Sequence, residues 1–189
     1  YSVVISKYAG TTNSATVTVS VEPAPPAALS ILDYNAHGNM VEDWSTNSWQ
    51  VKAIGRQVMF LNPDVVTFQE IPATNAFQMT NFVKAFLPGY HLATNSGTDG
   101  FETNYIRSVI ASRYPITRSQ SWLDNSDLNP FGYTNSNFTR DLFEAEIAVP
   151  GFIEPVHVFT THLKSGTGSS DDAAKRGAEA SAISNFFVT

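Results

Sequence analysis

The run Asp64-Val65-Val66-Thr67-Phe68-Gln69-Glu70 is apolar, β-branched and aromatic, lies between Pro63 and Pro72, and ends in a carboxylate. The pattern predicts a buried strand bounded by breakers. A charge sits poorly inside such a strand, so Glu70 is expected at its carboxyl end, on the rim where α/β sheets place reactive groups. Upstream, Leu29 to Tyr34 reads as a shorter apolar strand that runs into the polar, glycine-bearing loop Asn35-Ala36-His37-Gly38-Asn39. Between the two, Val51, Ile54, Val58 and Leu61 recur at helical spacing, with Asn47 or Ser48 as cap and Pro63 as the stop. A strand–helix–strand unit of this kind sets its strands in one sheet with their ends at the same edge. Asn35 and Glu70 are therefore expected to share a rim.

Downstream, Phe77, Phe82, Val83, Phe86 and Leu87 suggest a second helix that ends at Pro88-Gly89. Strands are then predicted over Tyr90 to Thr94, Asn104 to Ser112, Ile116 to Leu123, Phe138 to Val149 and Val156 to His162, separated by Gly, Asn, Ser and Pro clusters. The polar loop Asp124 to Asn137, with Pro130 and Gly132, is long enough to carry function or to move. Asp171 to Val188 reads as a last helix with Ala174, Ala178, Ala182, Ile183 and Phe186 on one face and Ser169 or Ser170 as cap.

The first residues have a different character. Tyr1 to Ser6 and Ala15 to Val21 are strand-forming runs across a Gly10-bearing turn, the second alternating Ala15, Val17, Val19 and Val21 with Thr16, Thr18 and Ser20. A lone hairpin is marginal in water, so these strands call for a larger sheet. They resemble the last two strands of an immunoglobulin-like domain. Domains are accordingly expected at residues 1–21 and 28–189, with the Pro-rich stretch 22–27 as a stiff spacer.

Composition narrows the function. A chain of 189 residues, 42% of them apolar, can bury a sizeable core. A net charge of −6 argues against gripping nucleic acid through a broad basic face, although a small cationic site suffices for a phosphate. With no cysteine, any metal must be held by oxygen or imidazole ligands. No apolar run approaches the roughly 18 residues needed to span a bilayer, and the first residues do not read as a signal peptide.

Five strand ends occur in a particular order: Tyr34-Asn35, Phe68-Gln69-Glu70, Ile110-Ala111-Ser112-Arg113-Tyr114-Pro115-Ile116, Asn137-Phe138-Thr139-Arg140-Asp141 and Phe159-Thr160-Thr161-His162-Leu163-Lys164-Ser165. Together with Lys175-Arg176-Gly177-Ala178-Glu179-Ala180, they resemble the endonuclease/exonuclease/phosphatase superfamily from about Ala28 to Val188. The resemblance implies a four-layer α/β sandwich, two mixed β-sheets flanked by helices. It also implies divalent-metal-dependent hydrolysis of phosphate esters, with Mg²⁺ as the first expectation and Mn²⁺ or Ca²⁺ as alternatives.

By the same resemblance, Glu70 is the metal ligand. Asn35 contacts the metal shell or a phosphate oxygen, His162 donates to the phosphate as charge builds, and Arg140 holds phosphate oxygens in a fork. Ser112 and Arg113 belong to a motif that is mainly architectural, with Ser112 a lesser candidate for substrate binding. Residue type alone leaves each with a second role: Glu70 a surface carboxylate, Asn35 a turn residue, His162 a satisfied structural group, Arg140 a surface partner of Asp141 or Glu144. Glu102 is a possible partner for His162. His37 and Lys164 read as solvated loop residues.

The family's later Asp-x-Asn and Asp-His motifs find no counterpart, since Asp127-Leu128-Asn129 comes before His162 in the order. The stretch is therefore expected to be part of a catalytic domain, truncated at its C-terminus and inactive alone. The leading expectation is a secreted, nuclease-like phosphodiesterase acting on DNA or RNA. The alternatives are an inositol-phosphate or sphingomyelin-type phosphoesterase, or a non-catalytic extracellular adhesion module.

Overall fold

The computed structural model describes residues 28–36, 44–72, 76–94, 106–166 and 168–189. The hairpin and spacer expected over residues 1–27, and also His37 and Glu102, lie outside them. In chain order the elements are β1 (Ile31–Asn35), α1 (Trp49–Leu61), β2 (Val65–Pro72), α2 (Ala76–Phe86), β3 (His91–Thr94), β4 (Ile106–Ser112), β5 (Ile116–Trp122), β6 (Leu142–Ile147), β7 (Val156–Thr161) and α3 (Ser170–Phe186).

Apolar residues on both faces make β2 a central strand. β1 lies parallel to it, with Ile31 opposite Val65 and Asn35 opposite Gln69. β4 runs antiparallel on its other side, and β3 completes a mixed sheet of order β1-β2-β4-β3. The second sheet, β5-β6-β7, is antiparallel.

The pleat divides β2 between two cores. Val66 and Phe68 pack with Val51, Ile54 and Val58 of α1 and with Met79, Phe82 and Val83 of α2. Val65 faces the other way and joins Ile110 of β4 with Phe143, Ala145 and Ile147 of β6 and Val158 of β7. Burial of each large apolar side chain in these layers contributes about 1.5–3 kcal/mol. α3 covers the far side of the second sheet, where Phe186 stacks against Trp122 and Phe159 with ring centroids 5.2 and 6.2 Å apart. The layers are helix, sheet, sheet, helix: an α/β sandwich.

α1 stops where Asn62 takes a left-handed conformation (φ 47°) and returns its N–H to Val58 at 2.9 Å, just before Pro63. Ser48 precedes the helix without capping it and instead donates to Gln50. Ser169 does cap α3, accepting from the Asp172 N–H at 3.0 Å. Three boundaries differ from the sequence reading. Leu61 and Ala174 are exposed, because the apolar stripe loses its partners at the last turn of α1 and the first turn of α3. The strand read from Phe138 begins only at Leu142, because Phe138 is taken up by a separate core with Leu128, Ala178 and Ala182.

Candidate active site

Because β1 and β2 are parallel, their carboxyl ends open on one rim, and there Asn35 Nδ2 donates to Glu70 Oε1 at 3.1 Å. Glu70 sits where the β2–β4 register slips between Phe68 and Ile71, and its φ is +62°. A left-handed conformation costs an L-residue about 1–2 kcal/mol, and a bulge re-aims the side chain it carries. The strain is thus stored at the carboxylate expected from sequence.

β7 brings the second sheet to the same rim. Gln69 Nε2 donates across the gap to Thr160 Oγ1 at 2.8 Å and also to Asp33 of β1, fixing β7 beside β2. His162, one residue past β7, then places Nε2 3.4 Å from Glu70 Oε1. Burial and the Arg140 guanidinium push the imidazole below its ordinary value, against the opposing pull of Glu70 and Glu179. The ring is therefore neutral at pH 7 and offers one N–H and one acceptor nitrogen. Its Nδ1 is buried and has no hydrogen-bond partner among the described residues.

Arg140 lies beneath. It is buried, and Nη1 donates to the carbonyls of His162 at 2.7 Å and Leu163 at 3.1 Å. The structure thus brings Asn35, Glu70, His162 and Arg140 together. It does not bring Ser112. β4 runs antiparallel to β2, so Ser112 lies opposite Val65 at the other end of the sheet, fully buried, its hydroxyl accepting from the Tyr114 N–H at 3.0 Å. Arg113 shares that end and holds Asp64 at 3.1 Å and the Asn62 carbonyl at 3.1 Å.

One further group escaped the sequence reading. Glu179 of α3 is fully buried, and its two carboxylate oxygens accept from the backbone N–H groups of Thr139 at 2.9 Å and Lys164 at 2.8 Å. It ties together the segments that carry Arg140 and His162. The available signal was a carboxylate on the stripe of Ala178 and Ala182, a position where an unpaired charge is not tolerated. Lys164, read as a solvated loop residue, is partly buried, and its Nζ pairs with Asp172 at 2.8 Å.

Among the described residues, no group of three or more His, Asp or Glu side chains gathers to hold a metal ion. The oxygen donors at the rim nonetheless suit a hard cation such as Mg²⁺, which binds through one or two carboxylates and keeps much of its water. Glu70 and Asn35 would hold it. No helix among the described residues is long and apolar enough to cross a membrane.

No family model matches the sequence, and no curated protein is recognisably similar to it. Solved structures are. A truncated TDP2 from Caenorhabditis elegans superposes with a TM-score of 0.58 at 18% identity, covering 84% of this chain and 54% of that one. A D. rerio TDP2 complexed with a single-strand DNA product gives 0.56 at 16% identity over 85% and 55%. An endonuclease/exonuclease/phosphatase from Beutenbergia cavernae gives 0.56 at 18% identity over 83% and 43%. The chain spans about half the length of the solved structures it matches. The chain thus shares the fold of these TDP2 and endonuclease/exonuclease/phosphatase structures.

Proposed function

We propose that this chain supplies part of the active site of a metal-dependent phosphoester hydrolase whose substrate is a phosphodiester of nucleic acid. The observation that carries the reading is the meeting of Glu70, Asn35 and His162 at one rim, with Arg140 behind them. A phosphodiester repels nucleophiles by its own charge, so the site must neutralise nonbridging oxygens and supply donors where charge grows. A bound divalent ion, Mg²⁺ before Mn²⁺ or Ca²⁺, would supply the Lewis-acid part of that task. Glu70 and Asn35 would hold that ion through their oxygens. His162, neutral and largely shielded from water, donates one N–H to a phosphoryl oxygen as its charge develops. Arg140 fixes the backbone on which His162 rides.

One neighbour is complexed with a single-strand DNA product, which supports a nucleic-acid substrate. The test uses the full-length parent protein with Mg²⁺, Mn²⁺ or Ca²⁺ and compares plasmid nicking with phosphate release from monoesters. Metal-dependent nicking that is lost in Glu70→Ala and His162→Ala is expected. Turnover that survives both substitutions overturns the assignment.

A further inference from the structure

The loop 124–137, which the catalytic reading leaves unused, forms one wall of a cleft of about 480 Å³ that Arg140 also lines. That volume falls in the range of small-ligand sites, about 300–1,000 Å³. We propose that this cleft binds a second phosphate of the substrate strand, next to the ester held at the Glu70–His162 rim; the proposal rests on the phosphodiesterase reading above.

Charge is the first argument. The protein carries a net −6, yet the cleft is lined by Arg140, Lys164 and Lys175 and by no Asp or Glu among the described residues. Lys164 is neutralised by Asp172 at 2.8 Å. Lys175 is not: its Nζ donates across the cleft to Ser136 Oγ at 2.9 Å, and no carboxylate pairs with it among the described residues. A partly sequestered ammonium without a counter-anion favours an anionic ligand.

The polar lining is the second. Asn125 and Asn137 face one another through a 2.7 Å amide hydrogen bond. Thr139, also on the cleft, has a buried hydroxyl with no hydrogen-bond partner among the described residues. Amides, a hydroxyl and cations match phosphate oxygens.

Preorganisation is the third. The loop rests on its own core: Leu128 is fully buried, and Phe131 and Tyr133 pack with it against Ala178 and Ala182 of α3. The Tyr133 hydroxyl donates to Asp171 at 2.9 Å. Arg140 links the two places, lining the cleft while its Nη1 holds the His162 carbonyl. Arg140 is thus shared by the cleft and by the segment that carries His162.

The test measures binding of a fluorescein-labelled single-stranded oligonucleotide to the full-length parent protein in EDTA, by anisotropy across a salt series. Lys175→Ala is expected to weaken binding about fivefold and to reduce the slope of log K against log salt by about 0.7, the loss of one single-strand phosphate contact. Lys175→Arg should restore both. Unchanged affinity and slope in Lys175→Ala overturn the proposal. So does a Lys175-dependent affinity for inorganic phosphate with none for the oligonucleotide, which would make the cleft a free-anion site. Failure of the phosphodiesterase reading shows separately, as the wild-type protein failing to turn over either oligonucleotide or bis(p-nitrophenyl) phosphate with any of the three metals.

Discussion

Glu70 Oε1 and His162 Nε2 stand 3.4 Å apart although Glu70 lies on a strand of one sheet and His162 directly follows a strand of the other, so the candidate site exists only while the two sheets keep their spacing. Glu70→Gln preserves the size of the side chain and removes its charge. It should cost about 10²–10³-fold in kcat, the scale on which a single electrostatic contributor to a transition state is felt. Steady-state kinetics in Mg²⁺ measure this, and a loss below tenfold would place the metal elsewhere.

The strain at Glu70 separates stability from activity. Its φ of +62° suits glycine, which carries no Cβ to clash. Glu70→Gly should therefore be more stable than Glu70→Ala by about 1 kcal/mol, with both inactive. Urea denaturation of the two variants decides it; equal midpoints would show that the bulge relaxes when the carboxylate is removed.

Glu179 satisfies two backbone N–H groups that nothing else reaches among the described contacts. Glu179→Ala should leave both unpaired and cost about 2–6 kcal/mol at about 1–3 kcal/mol for each donor. Glu179→Gln keeps one carbonyl acceptor and should lose less. Chemical denaturation of both variants gives the order, and a silent Glu179→Ala would mean that water replaces the carboxylate.

Asp64 ties the other end of the sheet, accepting from the Ser30 N–H at 2.9 Å, the Ser30 hydroxyl at 2.7 Å and Arg113 at 3.1 Å. Burial acts to raise its carboxyl, but the Ser30 hydrogen bonds and Arg113 outweigh this and hold it below its ordinary value of 3.8. A carboxyl lowered on folding stabilises fully above its unfolded value, and that contribution is lost as pH falls through the folded value. Asp64→Asn should therefore cost about 1–2 kcal/mol at pH 7 and flatten the decline in stability as pH falls below about 4. Unfolding midpoints of wild type and variant across that range check the sign.

The unit from β1 to β2 was legible because breakers and periodicity agree there: Pro63 stops α1, Pro72 ends β2, and Val51, Ile54 and Val58 keep a helical stripe. The shared rim of Asn35 and Glu70 follows from a parallel crossover, and the hydrogen bond between them is its local expression. Ser112 was misplaced because its motif gives a strand end but not a strand direction, and antiparallel pairing sends that end away from the rim. Glu179 was visible as a residue and illegible as a contact: its two donors lie 40 and 15 residues away, and nothing local points to them. The loop after Trp122 read as polar and either functional or mobile, because the hydrophobic underside of Leu128, Phe131 and Tyr133 is scattered among asparagines.

That two-sided loop has a practical corollary. Its apolar sole is clamped to the helix that carries Glu179, whereas Asn125, Asn135 and Asn137 form the upper surface. Two of those upper positions carry a backbone demand of their own, since Asn125 and Asn135 take φ of 54° and 57°, so a graft that rewrites them must keep to Asn, Asp or Gly.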